Sequence, residues 1–241
     1  MGKVGNLFEE TASCFQALGI CNLLLSLDLA GFSRNLIFSG YTRRYFLNQS
    51  RLEGNISDEH LAISRNESFF DAIAAGAVEL AREIADLSFD EWMKDGEYED
   101  DFCYYLFFHN YLKGSENFDR AFLKKILARF EKSLERSSSG RLSICCAFYT
   151  LDQRGFEEGF QELVNERQNQ IESYRLSNDL TFEPKSHVFV EGLALLRIAE
   201  KAGFPIQREY QYCPAIARVP ASASLPGDIY GEIERIIHRK I

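Results

Sequence analysis

The chain has 241 residues, 46% hydrophobic and 26% charged, a balance that fits a folded globular protein and excludes a disordered one. Its formal net charge of -9 repels phosphate backbones, so direct nucleic-acid binding is disfavoured and a basic protein partner is favoured. The apolar stretch 17–32 contains Asn22 and Asp28 and is short for a membrane span. Glu9 and Glu10 stand where a signal peptide would need bases, so the expectation is a cytoplasmic protein without a membrane partner.

No proline occurs before residue 184, which leaves long helices uninterrupted. Apolar spacing predicts a first helix over 7–27, with Leu7, Phe8, Phe15 and Leu18 on its apolar positions. A second follows over 32–48, with Arg34, Arg43 and Arg44 on its outer side. Residues 49–65 hold no period and read as loop. Helix 67–86, capped by Asn66, shows a broad apolar face through Phe69, Phe70, Ile73, Leu80 and Ile84. A short segment at 89–93 leads to an aromatic helix over 99–112, stopped by Gly114.

Residues 116–135 give the most regular amphipathic pattern, with Phe122, Leu123, Ile126, Leu127, Phe130 and Leu134 on one face. The Ser-Ser-Ser-Gly run at 137–140 is the clearest loop. A buried helix over 141–152 follows, then a long one over 154–176 with Phe160, Leu163, Val164, Ile171 and Tyr174 inward. Helix 186–202 is apolar almost all round, which marks central core, and Gly203 and Pro205 stop it. Residues 206–227 are irregular and 228–239 close the chain as a helix. The expected fold is all-α, an irregular bundle of about nine helices with mostly antiparallel neighbours. It is a single helical domain over 1–241 whose two halves would meet near 137–140.

Signatures of catalysis are missing from the sequence. It holds no phosphate-cradling glycine loop, no G-x-S-x-G, no H-E-x-x-H and no Glu-x-x-His pair of a di-iron bundle. His60, His109, His187 and His238 are scattered, and Cys14, Cys21, Cys103, Cys145, Cys146 and Cys213 form no C-x-x-C pair. The cysteines read as reduced, buried thiols. The expectation is therefore no enzyme, no metal and no cofactor.

The most unusual feature is acidic. Asp90, Glu91, Asp95, Glu97, Glu99, Asp100 and Asp101 crowd around Trp92, the sole tryptophan, with only Lys94 opposing them. Such a run can be a solvated face whose last acids complement the dipole of the following helix. It can equally dock a basic partner, with Trp92 as aromatic anchor. These eight residues are the candidate partner-binding site. The segment 208–214, with Tyr210 and Tyr212 before Pro214, is either cover for the core helix or a recognition loop.

Residues 190–215 run from an apolar helix ending in Ala-Gly into a polar stretch and Tyr-x-Pro. Through Gly192, Ala199, Gly203, Tyr212 and Pro214 this resembles the end of the immunity protein 49 family, helical bacterial proteins that neutralise toxins of polymorphic or contact-dependent systems. The resemblance implies a cytoplasmic inhibitor of one cognate toxin. It transfers no toxin-contacting residue. Two other classes stay open on the sequence: a helical adaptor unrelated to toxins, and a helical enzyme with a carboxylate-lined pocket.

Overall fold

The computed structural model describes residues 4–113, 119–135, 137–174, 179–221 and 223–238. Among the described residues there are eleven α-helices, two short 3-10 turns and no strand. The expected glycine stop at Gly114, the first turn at 116–118 and the helix ends at 175–176 and 239 lie outside the described residues.

The first two helices, α1 (Val4–Ser26) and α2 (Leu29–Leu52), form an antiparallel hairpin. Phe8 stacks on Phe46 with ring centroids 5.3 Å apart, and Phe15 on Phe38 at 5.2 Å. Two residues make the turn. Leu27 takes the left-handed conformation, and the Asp28 carboxylate caps α2 by accepting from Gly31 N at 2.8 Å. The segment expected as loop at 49–65 is therefore shorter, because α2 runs to Leu52 and Glu59–Leu61 forms a 3-10 turn. Arg43, expected on the outer side of its helix, is buried instead. It donates to His60 O at 2.6 Å and Ala62 O at 3.2 Å, and so ties the loop carbonyls to α2.

One of the nine expected helices is broken in two and another is preceded by a short separate helix, which gives the eleven observed among the described residues. The helix expected over 67–86 divides into α3 (Glu67–Ala74) and α4 (Val78–Leu87). Gly76 turns the chain between them at φ +83, a conformation that glycine adopts without strain. The helix expected over 186–202 begins only at Val190, as α10 (Val190–Lys201); its first two positions end a separate short helix, α9 (Phe182–His187), that the sequence did not mark, with Val188 and Phe189 extended between them.

The axis of the molecule is α5 (Glu99–Tyr111), in which every residue from Phe102 to His109 is buried. Its rings touch several neighbouring elements. Phe70 of α3 lies 5.7 Å from Tyr104 and 5.4 Å from Tyr105. Alongside lies α6 (Arg120–Ser133), followed by α7 (Gly140–Thr150) and α8 (Gln153–Tyr174), which make a second tight hairpin. Phe148 of α7 meets Phe108 at 5.6 Å, so the apolar core is continuous across the 137–140 loop. The last helix, α11 (Ile229–His238), returns to α2, where Ile233 is buried and the Tyr45 hydroxyl donates to Glu234 at 2.7 Å.

Some side chains expected inward are not. Tyr174 is 63% exposed and Phe122 36% exposed, because α8 outruns its neighbours and Phe122 sits in the exposed first turn of α6. All six cysteines are free thiols. Cys103, Cys145 and Cys213 are buried as expected, while Cys146 is exposed, since adjacent residues of a helix face different ways.

Candidate functional site

The acidic run 90–101 begins two residues past α4 and ends inside the first turn of α5. Glu97 organises it. Its carboxylate accepts from Ser64 N at 2.9 Å and Met93 N at 3.2 Å, and its carbonyl accepts from the Trp92 indole at 3.2 Å. One acid thus closes a turn and ties it to the loop before α3. Trp92 is half-buried, with Lys94 at 5.4 Å and Arg129 at 5.3 Å from its ring.

Two of the three acids of α5 face inward partners. Glu99 accepts from Arg129 at 2.7 Å, and Asp101 accepts from Arg141 at 2.7 Å. Burial raises the Asp101 pKa, and Arg141 opposes that shift only in part. Asp90, Glu91 and Asp95 differ from these: each is exposed and makes no hydrogen bond or ion pair with another described residue. The eight candidates therefore divide by position. Asp90, Glu91 and Asp95 face solvent, Glu97, Glu99 and Asp101 hold the segment in place, and Trp92 and Asp100 are half-buried. Tyr98, which the sequence did not mark as a candidate, is 79% exposed beside them. Its signal was position alone: it is the last residue before the helix, facing away from the core.

The acidic segment forms one end of a groove. Three adjoining pockets of about 230, 110 and 330 Å³ all reach Glu67; Lys185 lines the first two, and Arg141 and Glu191 line the last two. Asp100 and Asp101 line the largest, with Glu166 and Gln170 opposite. Lys185 bridges the middle, donating to Ser13 Oγ at 2.8 Å and Glu67 at 3.2 Å. The attraction of Lys185 lowers the Glu67 pKa.

At the far end lies Asp71, buried, which accepts from Gln16 Nε2 and Ser39 Oγ, each at 2.6 Å. Burial pushes its pKa up to about 7, against the pull of those two donors. These contacts tie α1, α2 and α3 together under the groove floor. The sequence missed this part of the site because Gln16, Ser39 and Asp71 stand far apart in the chain and belong to no motif.

The histidines are dispersed in space as in sequence. His60 is buried with Nδ1 2.7 Å from Asp58, His109 is buried, and His187 is exposed near Glu183 at 3.2 Å. Among the described residues no three His, Cys, Asp or Glu side chains stand together as a metal cage. No described helix is long and apolar enough to cross a membrane.

The residues of the C-terminal motif are structural. A Cβ on Gly192 would stand 2.7 Å from Cys213 Sγ, Ala199 is fully buried, and Gly203 ends α10 at φ +86. Phe189 N donates to Tyr212 O at 2.8 Å, and Tyr210 sets its ring 5.1 Å from Phe160. The segment 208–214 thus packs over the start of α10 and the face of α8.

A family model described as immunity protein 49 matches residues 42–217, from within α2 to the second 3-10 turn. No curated protein and no solved structure matches the chain.

Proposed function

The chain belongs to the immunity protein 49 family, and on that premise we propose that it acts in the cytoplasm by binding one cognate bacterial toxin and occluding its active or substrate-binding face. The observation that carries this reading is the extent of the family match, which takes in the acidic segment and most of the groove. Family membership implies a toxin as partner. The exposed carboxylates favour a basic one, and a nuclease toxin is basic because it binds a polyanion. The inhibitor works by occupancy and needs no catalytic group.

Asp90, Glu91 and Asp95, with the exposed ring of Tyr98, supply the steering surface and an aromatic contact. The segment is well suited to this, because Glu97, Glu99 and Asp101 already hold its backbone in place. Little ordering entropy is then lost on binding. A specific complex of this kind buries about 1,600 Å² in total. Asp100 and Asp101 join the acidic segment to the groove wall.

The test is co-expression with candidate basic toxin domains, each scored for growth and for direct binding. Rescue from one toxin, with a stoichiometric complex of the two purified proteins, is the expected result. Rescue without any complex would overturn occlusion. A complex formed only with acidic or non-toxic proteins would overturn the toxin reading.

A further inference from the structure

Arg197 projects from α10 into a pocket of about 420 Å³ walled by Ile73, Val78, Leu112, Ile198 and Pro220. This volume lies within the range of small-molecule sites, roughly 300–1,000 Å³. The walls are mainly aliphatic, with Glu200 and Lys201 also lining them, yet the pocket holds a guanidinium whose Nε is buried and has no hydrogen-bond partner among the described residues. Arg197 makes no hydrogen bond or ion pair with any described residue. Glu200, on the same helix, is taken by Arg218 at 3.0 Å. Arg43, Arg129 and Arg141 offer a contrast, since each is met by carbonyls or carboxylates.

Burial lowers the Arg197 pKa, with the attraction of Glu200 opposing it. The charge is therefore held against a desolvation cost that Glu200 offsets only in part and that no hydrogen bond from a described residue relieves. The carbonyl end of α3 lies close by, but a helix end supplies only a partial charge and here accepts nothing from Nε. Gly76, without a side chain, leaves room beside the guanidinium: a Cβ there would stand 3.9 Å from Nη1. Lys201 adds a second cation at the rim.

We propose that this pocket binds an aliphatic carboxylate, its hydrocarbon part against Ile73, Val78 and Ile198 and its carboxylate on the Arg197 guanidinium. The planar fork of arginine matches the two carboxylate oxygens, and a low-dielectric wall strengthens that pair. The chemistry disfavours amines, which Arg197 and Lys201 repel while the lining carboxylate of Glu200 is taken by Arg218, and neutral alcohols, which leave the charge unpaired.

The experiment uses the full chain and octanoate below its aggregation concentration, followed by calorimetry and ligand-observed NMR, with octanol and octylamine as comparators. Octanoate is expected to bind one molecule per chain, octanol about tenfold more weakly, the signature of one charge-assisted pair, and octylamine not at all. Arg197→Gln should reduce octanoate to the level of octanol, and Val78→Phe, which fills the pocket, should abolish both. Circular dichroism establishes that each variant keeps its helices, and either variant alone suffices for the comparison. Equal binding of octanoate and octanol, octanoate affinity unchanged in Arg197→Gln and Val78→Phe, or no octanoate binding by the wild-type chain would overturn the proposal.

Discussion

Arg141 grips Glu191 with two nitrogens, Nε at 3.2 Å and Nη2 at 3.1 Å, and so locks α7 to α10. Its third nitrogen reaches Asp101 of α5 at 2.7 Å, and the Tyr104 hydroxyl donates to Glu191 at 2.8 Å. Burial would lower the Arg141 pKa, but Glu191 foremost outweighs it and raises the value well above the ordinary range. With side chains 28% and 16% exposed, the pair is mostly withdrawn from water. Arg141→Met should therefore lower stability by about 2–4 kcal/mol, because it leaves Glu191 unpaired. Denaturant unfolding of Arg141→Met, Glu191→Gln and the double variant checks this. The double should cost less than the sum of the singles, and strict additivity would show that the pair is not coupled.

Asp71 makes stability depend on pH in the unusual direction. Its folded pKa is about 7 against an ordinary 3.8, so the unfolded chain ionises first as pH rises. Below the lower value the group has no effect, between the two it costs stability, and above the higher value the cost is constant. The Ser39 hydroxyl lies between the Asp71 carboxylate at 2.6 Å and Ser68 Oγ at 2.9 Å. Asp71→Asn should stabilise the protein at pH 8 by up to roughly 4 kcal/mol and leave it little changed at pH 4. Equal stabilisation at both pH values would show that the effect is not titration.

His109 works in the opposite sense over an overlapping range. Burial lowers its pKa to about 3, and it lies neutral with its ring 4.4 Å from Phe69 and Nε2 3.3 Å from Asn66. The unfolded chain takes up the proton first as pH falls from 6.5 toward 3, so stability is lost on acidification. The two groups partly cancel in the wild type. Asp71→Asn should unmask a stability that rises with pH up to about 6.5, and His109→Gln one that falls as pH rises toward 7. His109→Gln should also cost about 1–3 kcal/mol at every pH through lost ring packing. Thermal unfolding of both variants from pH 4 to 8 measures the slopes, and parallel profiles would remove both groups as the source.

The long helices were legible because their apolar residues recur at helical spacing, and Gly203 with Pro205 gave the end of α10. Two breaks were not. Gly76 looked like a tolerated glycine in one continuous pattern, since apolar residues stand in phase on both sides of it. Val188 and Phe189 are extended because Phe189 N bonds to Tyr212, a partner over twenty positions away. The acidic segment was legible as composition. Which of its acids face solvent was not, because Glu97 finds Ser64 and Asp101 finds Arg141 only once the chain has folded. Arg197 carried no sequence signal, as an arginine in an apolar helix more often reaches water or a carboxylate.

The approach of α7 to α8 rests on two glycines. A Cβ on Gly140 would lie 2.7 Å from Leu163 N and 2.8 Å from Gly159 O, and one on Gly159 would lie 3.1 Å from Ile144 N. The obstacles include backbone atoms, which cannot rotate away as a side chain would. Gly140→Ala should destabilise by about 1–3 kcal/mol or more, despite the better helix propensity of alanine. Gly155→Ala, on α8, meets the movable Asp152 carboxylate and should cost less. Chemical denaturation of the two variants compares them, and equal losses would mean that the hairpin tolerates separation at Gly140.

Asp90, Glu91 and Asp95 offer the sharpest test of how a toxin is recruited, since changing them breaks no hydrogen bond or ion pair among the described residues. The triple replacement by Lys should leave the melting temperature nearly unchanged. Association with a basic toxin should slow by about tenfold at low ionic strength, and the difference should shrink as salt screens the field. An equal charge change at Glu53, Glu131 and Glu172, exposed at other places in the fold, separates local steering from net charge. Steering by this segment predicts a large effect for the first triple and a small one for the second. Similar slowing by both would assign the effect to overall charge. A faster dissociation with unchanged association would place these carboxylates inside the bound interface and not on its approach, and Glu97→Gln, which loosens the segment from Ser64, would then mimic it.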